Sequence, residues 1–183
     1  MTRNFYLFLS LFLIVFLAGC DDDDDPVIEN EEEVITRVVW TLTPTDATNE
    51  TVTFSFVDTD GDGGNAPVIT TSGTLAADAT YDGSITFANE DEQITPEIME
   101  EDDEHQIFYV FGGANLTATY GDSDDDGNPI GLLTTVTTGA ASTGTAQVVL
   151  RHEPAKGPLT TIGNLVGAGG ETDVEVTFDV TIQ

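Results

Sequence analysis

Asp173-Val174-Glu175-Val176-Thr177-Phe178-Asp179-Val180-Thr181-Ile182 alternates a polar with an apolar side chain without a break. Successive side chains of a strand point to opposite faces. Val174, Val176, Phe178, Val180 and Ile182 therefore make an apolar face, and Asp173, Glu175, Thr177, Asp179 and Thr181 a wet one. Burial on one side only is the mark of an antiparallel sheet, because parallel sheets are covered on both faces and read as continuous apolar runs. The same period recurs at the front of the domain. Val34, Thr36, Val38, Trp40 and Leu42 share a face that ends before Pro44, and Val52, Phe54 and Phe56 repeat it.

Between these ends lie further strand candidates over 68–71, 81–87, 106–111, 116–120, 132–138 and 145–151, separated by turns rich in Gly, Asp and Asn. Thr and Val suit a pleated, half-buried surface better than a helix. One segment, Thr95-Pro96-Glu97-Ile98-Met99-Glu100, offers a Thr N-cap, proline at the first helical position and acids in the first turn, so it predicts one short helix. Strand–helix alternation is missing, which argues against a parallel α/β fold. The expectation is an all-β fold, an immunoglobulin-like antiparallel β-sandwich of about nine strands over residues 34–183. Leu75 and Tyr81 resemble the tyrosine corner of immunoglobulin-like and fibronectin type III domains, in which the phenol bonds back to the backbone. A half-buried tyrosine at a strand start is the plainer alternative.

The N-terminal residues read as an export signal. Arg3 is followed by Phe5 to Phe16, an apolar run too short to cross ~30 Å of hydrocarbon, and then by Leu17-Ala18-Gly19-Cys20. That tetrapeptide resembles the lipobox of bacterial lipoproteins. The resemblance implies removal of residues 1–19 and lipidation of Cys20, with several acyl chains holding the protein on a bilayer. Cys20 is the single cysteine, so an intramolecular disulfide is excluded, and with Cys20 lipidated no thiolate metal site or cysteine nucleophile is expected. Residues 20–33 carry Asp21 to Asp25 and Glu31 to Glu33, an acidic tether expected to stay disordered and extended by self-repulsion. Acids just after the cysteine also resemble the surface-export signal of Bacteroidota lipoproteins. The expected location is the outer membrane, on its outer surface; a periplasm-facing lipoprotein is the alternative.

Charge narrows the partners. The chain carries 34 carboxylates against 4 cationic side chains and 2 histidines, a formal net charge of −30. Such a field repels nucleic acid, and no nucleic-acid function is expected.

Two loops place aspartates at alternate positions: Asp58, Asp60 and Asp62 before Gly63, and Asp122, Asp124 and Asp126 before Gly127. Calcium takes six to eight oxygens, and aspartates so spaced around a turning glycine can wrap it. Neither loop is an EF-hand, because its twelfth position holds Ile69 or Leu133. Calcium and plain turn geometry are both open readings. His105 opens one strand and His152 closes another, beside Glu104 and Glu153. If those strands are antiparallel neighbours, both imidazoles and the two carboxylates come within reach of one ion, and zinc suits that donor set. Ordinary hydrogen bonding is the plainer alternative. No nucleophile elbow, phosphate loop or Ser–His–Asp ordering is present in the sequence, so no enzyme is expected.

Read whole, the mature chain is similar to a group of small flavobacterial surface lipoproteins. The likeness runs through Glu31 to Thr36, Asp60 to Pro67, Glu104 to Gln106, Asp126 to Gly131, Leu150 to Pro154 and Glu175 to Gln183. Members are often labelled as having a type 1 periplasmic binding fold. Two α/β lobes do not suit a chain this short with β periodicity throughout. The resemblance implies a compartment and no activity. The expected role is a non-enzymatic binding or accessory module of the envelope, stabilised by calcium, with an outer-membrane receptor as partner. The alternative is a lipoprotein that captures a metal or ligand at His105 and His152 and feeds such a receptor.

Overall fold

The computed structural model describes residues 34–61, 64–157 and 162–183. The signal segment, Cys20, the acidic tether and Asp62 lie outside the described residues.

The described residues form an antiparallel β-sandwich. Its strands are β1 (Arg37–Pro44), β2 (Val52–Val57), β3 (Val68–Thr71), β4 (Thr80–Asn89), β5 (Glu92–Gln93), β6 (His105–Gly112), β7 (Leu116–Tyr120), β8 (Leu133–Thr138), β9 (Ser142–His152) and β10 (Glu171–Ile182). One sheet runs in the order β3-β2-β1-β4-β8-β7, with β5 on the end of β4; the other runs β10-β9-β6. The strand missed by the sequence reading is β5, two exposed residues with no alternation to reveal them.

The alternating positions meet in a single core. Trp40 lies over its cross-strand partner Phe54 at 5.2 Å, and it reaches Tyr109 of the opposite sheet at 5.3 Å. Phe54 in turn meets Phe178 across the sandwich at 5.6 Å. Each such side chain contributes about 1.5–3 kcal/mol by leaving water. Val34 departs from the expected pattern: it precedes β1 and is 63% exposed, so the buried row starts at Thr36.

The short helix α1 (Thr95–Glu100) forms where expected, but not with the expected cap. Ile94 is the N-cap and, with no polar side-chain atom, makes no capping bond, while the Thr95 hydroxyl is held by β4. It accepts the Phe87 N–H at 2.8 Å and donates to the Phe87 carbonyl at 3.2 Å. A tertiary bond has taken the hydroxyl that local capping would have used.

Tyr81 does bond back to the chain. Its buried phenol oxygen accepts the Ala76 N–H at 2.8 Å, closing the corner before β4. Tyr81→Phe is expected to cost about 1 kcal/mol, measured as a shift of the urea midpoint at unchanged slope.

Candidate functional site

β6 and β9 are antiparallel neighbours, and the first residue of one faces the last of the other: His105 pairs with His152. Both continue inward rows of the core, Tyr109-Ile107-His105 on β6 and Val148-Leu150-His152 on β9. The two imidazoles stack at 4.7 Å between centroids, tilted by 21°. His105 is fully buried and His152 nearly so. Alternation thus delivers two histidines side by side to one end of the sandwich interior.

A third group arrives by an irregularity. The register of β10 against β9 shifts between Thr172 and Val174, leaving Asp173 as the extra residue of a β-bulge. Bulges re-aim side chains. The period-two reading put Asp173 on the wet face with Glu175. Instead its carboxylate is completely buried, with Oδ2 4.0 Å from His105 Nε2. His105, His152 and Asp173 each bring a ligand atom to within 4.8 Å of the others. Glu104 extends the cluster outward, 3.6 Å from His152 Nε2, and Glu153 stands beside it.

The protonation state of His105 follows from its partners. The Glu101 carbonyl lies 3.1 Å from Nδ1 and can only accept, so Nδ1 carries the proton. Burial holds the pKa below its ordinary value of 6.5, against the Glu101 bond that raises it, and His152 adds to the lowering. The ring is then neutral near pH 7, with its free lone pair on Nε2. That atom makes no hydrogen bond and faces a buried carboxylate. A carbonyl fixing Nδ1–H and leaving Nε2 bare is the orientation a metal-ligating histidine takes.

This neutral histidine has a consequence for stability. Its folded pKa is depressed, so the unfolded chain binds more protons as pH falls below 6.5. The contribution is fully present above 6.5 and is lost on acidification towards the folded pKa. In chelator, the thermal midpoint should fall between pH 7 and pH 5, and His105→Gln should flatten that slope. Equal slopes in both proteins would contradict this assignment.

The aspartate loops are built differently. Asp122 accepts the N–H of Gly131 at 2.7 Å and that of Leu133 at 2.9 Å, one on each oxygen. Asp124 accepts the N–H groups of Asp126 and Asn128 and, on its other oxygen, the Lys156 ammonium at 2.9 Å. In the first loop Asp58 accepts the Gly61 N–H, and Asp60 accepts the Asn65 N–H and side-chain amide. The bonds of Asp58, Asp60 and Asp124 to backbone N–H groups two to five residues on are turn-forming bonds of the kind Asp supplies. Asp126 is exposed. A cavity of about 460 Å³ is lined in part by Asp58, Asp173 and Glu175.

Comparison with protein-family models, curated proteins and solved structures finds no match to this chain. Its class rests on the fold alone, an antiparallel β-sandwich.

Proposed function

We propose that the protein is a non-enzymatic, lipid-anchored module of the bacterial envelope that captures a transition metal ion, zinc foremost, at His105, His152 and Asp173. The observation that carries this is the convergence of two neutral-capable imidazoles and a buried carboxylate, with the bare Nε2 of His105 turned towards that carboxylate. Two imidazoles and a carboxylate are a usual zinc donor set, and Glu104 lies 3.6 Å from His152 Nε2. The geometry favours zinc over calcium, which prefers all-oxygen cages. In the second aspartate loop a lysine ammonium already sits where a cation would. The lipobox-like Leu17 to Cys20 and the acidic run behind it support a surface anchor, and an outer-membrane receptor is the partner that compartment suggests.

Zinc affinity of the full chain, measured by competition with a chelating dye, tests the reading. Saturation at ~100 times Kd should raise stability by about 2.7 kcal/mol, several degrees for a domain of this size. Joint replacement of His105 and His152 by glutamine should lower affinity at least 100-fold, with cooperative unfolding in chelator retained. Wild-type protein that gains no thermal stability from zinc, or a double variant that binds as well, would sink the proposal.

A further inference from the structure

A second cavity, of about 390 Å³, lies between β4, α1 and the segment that leads into β8. Its volume is in the range of small-molecule sites. Ile85, Met99, Ile130, Leu132 and Leu133 give it a predominantly apolar wall. Two of these are also among the few large apolar side chains left exposed in the described residues, Met99 at 60% and Leu133 at 51%. The outward positions that follow Leu133 on β8 are Thr135 and Thr137, so Leu133 is the apolar exception on a threonine face. Exposed apolar surface gathered around a concavity, on so acidic a chain, marks a binding site more often than scattered leucines do.

Beside the hydroxyls of Ser84, Thr86, Thr95 and Ser123, the charged groups of the cavity are of one sign. Asp102 and Asp122 line it, and no lysine or arginine does. Asp122 is held in a fixed orientation by the Gly131 and Leu133 N–H groups. Lys156, which reaches the Asp102 carbonyl, is committed to the Asp124 carboxylate and to the carbonyls of Asp102 and His105. A ligand here meets an apolar wall and uncompensated negative charge, within a molecule whose net charge of −30 repels anions.

We infer that this cavity binds a small molecule with an apolar body and a cationic end, an arylalkyl or alkyl amine, independently of the histidine cluster. Ile85, Met99 and Leu133 pack the apolar part, and Asp102 and Asp122 receive the ammonium.

The chain contains 2 methionines, Met1 and Met99, so methyl-¹³C-methionine labelling of the full chain places one of its two signals at this cavity. Titration with 2-phenylethylamine should shift the Met99 methyl saturably, with 2-phenylethanol at least tenfold weaker and 3-phenylpropionate weaker still. Leu133→Arg, which sets a guanidinium at the mouth, should abolish the amine-induced shift. Asp102→Asn, at a partly exposed residue, should reduce the preference for amine over alcohol without affecting the fold. Both variants should keep the wild-type melting temperature and zinc affinity, which separates failure here from failure of the metal reading. A Met99 signal that does not move, or moves without saturating, overturns the inference. Equal binding of the carboxylate, or undiminished amine binding by Leu133→Arg, overturns it too.

Discussion

Replacement of Lys156 by methionine is expected to destabilise the protein by about 3–5 kcal/mol, on the order of a 10 °C fall in melting temperature. Lys156 is 5% exposed and its partner Asp124 is 2% exposed, with Nζ and Oδ2 2.9 Å apart. The same ammonium donates to the His105 carbonyl at 3.0 Å and to the Asp102 carbonyl. One side chain thereby ties the second aspartate loop to the turn after α1 and to the start of β6. Burial alone would raise the Asp124 pKa, but Lys156 and the Asn128 bonds more than offset it and hold the carboxyl below its ordinary range. Methionine matches the stem and removes the ammonium, so the loss combines a buried carboxylate stripped of its cation with two carbonyls stripped of a donor. Adding Asp124→Asn should recover more than half of the loss, because breaking one side of a buried pair costs more than removing both. Calorimetry at neutral pH decides it. A Lys156→Met protein within 1 kcal/mol of wild type would show that the pair is not what closes this loop.

How much of this was written in the sequence differs from residue to residue. Val174 to Ile182 alternate because one face is wet, and that pattern needs no partner to be read; the sandwich follows from it. The pairing of His105 with His152 was legible conditionally, since a strand opening on one histidine and a strand closing on the other meet only if the two are antiparallel neighbours. Lys156 was not legible. Its partners Asp124, His105 and Asp102 are all remote along the chain, the two carbonyls 51 and 54 residues away, and nothing in its own neighbourhood has a period or a cap to point at them. Thr95 misled for the reverse reason: its local context is that of an N-cap, and a contact with β4 won the hydroxyl. The glycines at 167, 169 and 170 read as a turn, and all three have positive φ. What the turn does for the site shows only in space: a Cβ on Gly170 would lie 2.1 Å from the His152 carbonyl, so the chain entering β10 passes the second histidine this closely only with a glycine there.

Asp173→Asn is expected to weaken zinc binding by on the order of 100-fold, about 2.7 kcal/mol, while Glu175→Gln leaves it within twofold. Alternation assigns these two carboxylates the same face, two residues apart on one strand. They differ because the bulge between Thr172 and Val174 gives β10 one residue too many for its partner, and the surplus side chain swings inside. Inside, the Asp173 carboxylate supplies the negative charge that a divalent ion needs when it leaves water, and it supplies it at the bare nitrogen of His105. Asparagine keeps the size and one oxygen but loses the charge, so the effect reads electrostatics and not packing. Glu175 stays on the exposed face, where solvent screens it. Competition titrations on the two variants, with melting in chelator as the folding control, compare them directly. Equal losses would mean that any acid near the mouth serves and that the ion is held by diffuse charge. A loss confined to Asp173 would mean that the strand's single irregularity completes the donor set, and that the departure from the fold's own period is where its function lies.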